Sequence, residues 1–167
     1  KIENFYGGNK DIQNIVLQSI GEIGSNFQEH ADCDTQSVIV AKGEKSYIEV
    51  ACADNGVGII NSLRAFGNKD TDVMRRCIDK GVSSKIDKWH TGSGLWIINQ
   101  LVNKSKGTMI ICSQNCYLKN KKGHITVGGS PLWKGTFIYV KIPLLTTLKL
   151  SDIFVGEIST TIQLNII

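Results

Sequence analysis

Three groups of residues in this sequence have the types and spacing to do chemistry. Glu22, Asn26 and His30 stand four apart, so on a helix they form one stripe along a single face. A solvated helix face usually carries Lys and Glu, whereas Asn is a poor helix former and its amide oxygen is a good ligand for a hard cation. Asp54-Asn55-Gly56-Val57-Gly58-Ile59 follows the apolar run Ile48–Ala53. It places a carboxylate at the exit of a strand, beside glycines that allow a sharp turn or a close backbone approach. Gly81-Val82-Ser83-Ser84-Lys85 opens a polar stretch that ends in Thr91-Gly92-Ser93-Gly94-Leu95. A glycine-rich loop that feeds a helix N-terminus gathers backbone N–H groups and suits an anion. Taken singly, each has a plainer reading: a solvated helix face, an ordinary turn and a glycine-containing loop.

Regular elements must position these groups. Ile12, Ile15, Val16, Ile23 and Phe27 recur at helical spacing and predict a helix from about Ile12 to about Ala31, with Asp11 as its N-cap. Gly21 and Gly24 inside it point to close approach by a neighbour or a ligand. Ser37–Ala41 and Tyr47–Ala53 read as an antiparallel hairpin turned at Lys42-Gly43-Glu44-Lys45, and its second strand delivers Asp54. Helical segments are expected over Ile60–Phe66, Thr71–Lys80 (ended by Gly81) and Leu95–Lys104. Thr108–Ser113 reads as a strand. Tyr117–Lys119 and His124–Val127 read as a hairpin around a lysine-rich tip, and Phe137–Ile142 as a strand opened by Gly135-Thr136 and closed by Pro143.

The bulk properties bound the answer. The 167 residues make one ordinary domain, and 17 glycines with only 2 prolines argue against a disordered or Pro-rich chain. The net charge of +4 is mild, and Lys119, Lys121 and Lys122 sit in a loop that reads as a solvated tip, not a nucleic-acid surface. No stretch approaches the ~20 apolar residues of a membrane span, and no signal peptide is expected. Cys33, Cys52, Cys77, Cys112 and Cys116 are odd in number and form no C-x-x-C pair. A reduced, cytoplasmic compartment therefore fits better than a disulfide framework. The chain starts at Lys1 without a methionine, which is what a piece of a longer protein would show.

In this order, the motifs resemble those of the GHKL ATPases, the superfamily of the Bergerat nucleotide fold. It includes gyrase, the mismatch-repair ATPase, heat-shock chaperones, histidine kinases and anti-sigma-factor kinases. Glu22-x-x-x-Asn26-x-x-x-His30 looks like the family's first motif, Asp54-x-Gly56-x-Gly58 like the second, and Gly81 through Gly94-Leu95 like the nucleotide lid. Gly135-Thr136-Phe137, with the strand that ends at Pro143, looks like the last. The match covers about Gln13 to Pro143. It implies an α+β two-layer sandwich, a mixed and largely antiparallel sheet covered on one face by helices. Residues 1–143 would form the ATP-binding domain, and 144–167 an extension that adds a strand or links to a missing region.

The resemblance also implies roles. Asp54 would accept a hydrogen bond from the exocyclic amine of adenine, and Thr136 would support the same edge through water. Gly56 and Gly58 would let the backbone pass close to the base, with Ile59 beside them. Asn26, with His30 a turn further on, would face the phosphates, and Asn26 would hold Mg²⁺. Gly92, Ser93, Gly94 and the Leu95 amide would wrap the phosphates, with Lys85 as a γ-phosphate contact. Glu22, one turn from Asn26, would orient and deprotonate an attacking water or hydroxyl.

Departures from the family pattern shape the functional expectation. Trp96 stands where many members have a third lid glycine. The second domain that completes hydrolysis in gyrase-like and chaperone members is not seen, nor is a helix pair carrying a phosphoacceptor histidine. The expected function is an ATP–Mg²⁺ domain that hydrolyses ATP or passes its γ-phosphate to a protein hydroxyl. The Glu-Asn-His stripe is closest in style to the anti-sigma-factor serine kinases. The alternatives are an ATP-operated switch without turnover and the catalytic domain of a sensor histidine kinase. Further domains or a protein partner are expected in either case.

Overall fold

A computed structural model describes residues 5–6, 8–30, 36–84, 92–145 and 147–154, and the side chains of 26–30 lie outside that description. The elements run α1 (Lys10–His30), β1 (Ser37–Gly43), β2 (Tyr47–Asp54), α2 (Gly58–Ser62), α3 (Asp70–Arg76), α4 (Gly94–Ser105), β3 (Thr108–Lys121) and β4 (His124–Pro143). Short 3-10 turns occupy Arg64–Phe66 and Leu150–Ile153. The four strands form one sheet in the order β1-β2-β4-β3. Every described pairing is antiparallel, so no parallel strand accounts for the mixed character expected from the sequence. The architecture is an α+β two-layer sandwich, with helices packed on one face of the sheet.

Strand alternation decides which side chains meet the helices. In β2, Ile48, Val50, Cys52 and Asp54 are buried and their neighbours are not. The period of two therefore carries Asp54 onto the same face as the core. In β4 the inward set is Thr136, Ile138, Val140 and Ile142. In β3 it changes phase, from Met109, Ile111 and Ser113 to Cys116, Leu118 and Asn120. The register shifts around Gln114, whose φ is +51°, mark the irregularity at which this phase changes, with the surplus residues on the β4 side. The four strand segments read from the sequence after Lys104 are thus two long strands with an irregularity inside. Lys122 and Gly123, both at positive φ, turn one into the other as a two-residue hairpin requires. Buried Asn120 holds that turn by accepting the Gly123 N–H at 3.0 Å, while its amide donates to Asn99 and Asn103 on α4.

α1 buries Ile12, Ile15, Val16 and Ile23 against the sheet. Its cap is Asn9, whose Oδ1 accepts the Ile12 N–H at 3.1 Å, and not Asp11, because the helix starts two residues earlier than the apolar pattern. The close neighbour expected at Gly21 and Gly24 is absent among the described residues: a Cβ on either meets nothing within 4 Å. Leu144, Leu148 and Ile153, beyond the last strand, are buried in the same core. Among the described residues no helix is long and apolar enough to cross a membrane.

Candidate functional site

The end of β2 is built to aim one carboxylate. The β2–β4 ladder stops at Ala53↔Phe137, so the next residue, Asp54, faces Thr136. The Thr136 N–H donates to Asp54 Oδ1 at 3.1 Å, and the Gly56 N–H donates to the same oxygen at 2.8 Å. Asp54 is only 6% exposed, so these bonds offset part of the cost of burying its charge. Both bonds fall on Oδ1, and among the described residues Oδ2 accepts none, so it is the oxygen available to a ligand in the cavity. Gly135 is obligatory beside it, because a Cβ there would lie 2.2 Å from the Asp54 carbonyl oxygen and 2.4 Å from Oδ1.

Asp54 lines a cavity together with Thr136, Ile59, Gly92, Gly94 and Leu95. Six positions singled out in the sequence, scattered over four elements and a loop, therefore share one space. Leu63, Val82 and Ile138 complete apolar walls, and Ser62 and Ser83 add hydroxyls. A buried acceptor among apolar walls suits a flat heteroaromatic ring that carries an amine. At the lid side, Gly81 N–H donates to the Gly92 carbonyl at 3.1 Å and closes the loop at its neck. Gly92 has φ +65°, and a Cβ on it would lie 2.8 Å from the Gly81 carbonyl carbon. Ser93 precedes α4 and accepts the Ile97 N–H on its carbonyl at 2.8 Å. The helix N-terminus thus meets the cavity at Gly94 and Leu95, where N–H groups with no partner inside the helix, and the helix dipole, favour negative charge.

Other predicted residues fall elsewhere. Gly58, at φ +76°, does not line the cavity: a Cβ there would run into Gln114, Ser113 and the Gly135 carbonyl, so the hairpin itself requires this glycine. Glu22 accepts a hydrogen bond from Gln18 and opens on a second groove with Leu17, Gly21, Ser25 and Leu150. Asn26 and His30 continue the stripe on α1, with side chains outside the described residues, as is Lys85. Trp96 turns away from the cavity, with its ring 6.0 Å from that of Phe154 and Lys80 Nζ 5.1 Å above it. The indole in place of a lid glycine is thereby absorbed in the packing of the C-terminal segment.

The sequence reading missed Cys52 and Cys77, which line the cavity as buried thiols. Burial, with the Asp54 charge second, pushes Cys52 up to about 11. Burial, with Asp79 second, pushes Cys77 up to about 12. Both are apolar wall, not nucleophile, at neutral pH. It also missed Ser113, Gln114 and Trp133, which brace the Asp54 turn from the β3–β4 hairpin. The change in apolar phase between Ile111 and Leu118 marks the irregularity in β3, but nothing in the sequence marks its partners.

No family model matches the sequence, and no curated protein matches it. Among solved structures, the fold is similar to the mycobacterial sensor histidine kinase MprB. That match is 12% identical, covers 78% of this chain and 73% of that one, and has a TM-score of 0.46. It is also similar to the 43K ATPase domain of Thermus thermophilus gyrase B in complex with an aminocoumarin. That match is 18% identical and covers 88% of this chain with a TM-score of 0.48. This chain spans 39% of that gyrase chain.

Proposed function

We propose that this chain is an ATP–Mg²⁺ binding domain of the GHKL type that hydrolyses ATP or passes its γ-phosphate to a protein hydroxyl. The observation that carries the reading is the placement of Asp54, a buried carboxylate with one oxygen held by two backbone N–H groups, on the wall of a cavity that ends at a helix N-terminus. In this reading Oδ2 accepts from the adenine amine, and Ile59, Leu63 and Ile138 sandwich the ring. The N–H groups at Gly94 and Leu95 receive the phosphates. Asn26 is the residue to hold Mg²⁺, an ion that neutralises charge on the phosphates when bound. Glu22 positions and deprotonates the nucleophile. The reduced thiols Cys52, Cys77, Cys112 and Cys116 fit a cytoplasmic protein. A protein partner or further domains would complete its action.

A second reading has its own support. Glu22 opens on a groove other than the Asp54 cavity, which favours a switch that binds ATP and changes its surface without turnover. Phosphate release by this chain and by Glu22→Gln, measured beside ATP affinity, separates the two. Release that drops by roughly 10²-fold or more in the variant, at unchanged ATP affinity, supports hydrolysis with Glu22 as base. ATP binding without release from either protein supports the switch. No binding of ATP removes both.

A further inference from the structure

We propose that Trp133 is a positioning residue for Asp54, and that its indole N–H contributes to the selection of the ligand's amine by that carboxylate. The inference rests on the nucleotide reading of the cavity.

The argument begins where the ladder ends. At Asp54 the main chain of β2 has left the last described pair with β4, Ala53↔Phe137. The Asp54 carbonyl still needs a donor, and the Trp133 Nε1–H supplies it at 2.9 Å. This bond fixes the peptide plane between Asp54 and Asn55, and hence the direction in which the chain leaves the strand. Two residues on, Gly56 must return its N–H to Asp54 Oδ1 at 2.8 Å. A change in that peptide plane would move the Gly56 donor and rotate the carboxylate with it. Trp133 is itself held, with its ring edge-on to Phe137 at 6.4 Å.

The adjoining residues of the hairpin tie the same turn. Gln114, in the bulge, donates through Nε2 to the Lys134 carbonyl and, at 3.4 Å, to the Val57 carbonyl. Ser113 Oγ lies 2.9 Å from the Gly135 carbonyl and 2.7 Å from Gln114 Oε1, and its single proton can serve either. The stretch 133–136 is thus bonded to Asp54 and to the bulge, and the bulge residue Gln114 in turn reaches the Val57 carbonyl of the 56–58 turn. Trp133 is the member that acts on the Asp54 main chain directly. Trp133 is 42% exposed, so it contributes little to the core, and removing the N–H while keeping an aromatic ring leaves the contact with Phe137 in place.

The test uses Trp133→Phe, which keeps an aromatic ring against Phe137 and deletes the donor. Affinities for ATP and for purine riboside triphosphate, which lacks the 6-amino group, are measured with magnesium by calorimetry, alongside the melting temperature. The unmodified chain should prefer ATP. In the variant, ATP should bind roughly three- to tenfold more weakly, the loss expected for one hydrogen bond. The analogue should be little affected, so the preference narrows while the melting temperature holds. A variant that weakens both nucleotides equally, that leaves both affinities unchanged, or that fails to fold overturns the proposal. Asp54→Asn, measured in parallel, keeps the two readings apart. If it retains full ATP affinity, the nucleotide reading itself falls. If it loses ATP while Trp133→Phe behaves as the unmodified chain, only the role of Trp133 falls.

Discussion

Thr136 and Asp54 are joined across the open end of the β2–β4 ladder by a main-chain N–H and a carboxylate oxygen, 3.1 Å apart, in place of a main-chain pair. The strand ending therefore orients a side chain with the bond it would otherwise use to extend the sheet. This makes Asp54→Asn an unusually clean probe. The Asn oxygen can still accept from Gly56 and Thr136, so the fold should keep its melting temperature. The second atom becomes a donor and meets the ligand's amine with the wrong polarity. ATP affinity measured by calorimetry should fall by roughly 10- to 100-fold, the range for a charged hydrogen bond. Asp54→Ala should also lower stability, because it strands two buried N–H groups at about 1–3 kcal/mol each.

Glycines in this chain divide by what surrounds them. A Cβ at Gly135 would lie 2.2 Å from the Asp54 backbone oxygen, and backbone cannot step aside as a flexible side chain can. Gly135→Ala should destabilise by about 1–3 kcal/mol and weaken ATP binding together. Gly24, in α1, has open space around a Cβ and no positive φ. Gly24→Ala should stabilise by about 0.5–1 kcal/mol through helix propensity. Urea unfolding of the two variants gives the signs. A stabilised Gly135→Ala would mean that the strand end is looser than described.

Cys52 and Cys77 give the cavity wall a pH signature. An exposed thiol titrates at about 8.5, whereas burial holds Cys52 at about 11 and Cys77 at about 12. The folded state therefore keeps protons that the unfolded state sheds first. The contribution is fully present below about pH 8.5 and is lost as pH rises toward 11 and 12, by up to about 1.4 kcal/mol per pH unit for each thiol. Urea midpoints at pH 8 and pH 10 should differ for the unmodified chain, and less so for Cys77→Ala. Equal pH dependence in the two proteins would show that Cys77 is reached by solvent.

Much of this site was legible in the sequence because its parts are local. Asp54 and Gly56 are tied by a bond two residues long, and Gly92 and Gly94 sit at a loop neck and a helix start. Local chemistry of that kind leaves its mark on residue type and spacing. The bracing of the turn was not legible, because Trp133 and Gln114 reach it over 79 and 57 residues of chain. Nothing in their own neighbourhoods announces those partners. The bulge at Gln114 was visible only as a break between two strand patterns, and it was read as a strand end because an inserted residue and a loop disturb the period of two alike. The N-cap at Asn9 was missed because the apolar stripe of α1 begins only at Ile12, two positions after the helix itself.

The segment after β4 is the last test, because sequence pattern and packing place its boundary differently. Pro143 closes the last strand, yet Leu144, Leu148 and Ile153 are each buried, and the Leu144 N–H donates to the Ser46 carbonyl at 2.8 Å. The Phe154 ring lies against Trp96 at the start of α4. Each fully buried apolar side chain contributes about 1.5–3 kcal/mol, so removing three forfeits about 5–9 kcal/mol. That is comparable to the whole stability of an ordinary domain, about 5–15 kcal/mol. A chain ended at Pro143 should therefore be unfolded or molten, with no cooperative melting transition, whereas one ended at Phe154 should melt cooperatively. Circular dichroism melts of the two truncations decide it. A cooperative transition from the shorter chain would show that residues 144–154 lie on the core without supporting it.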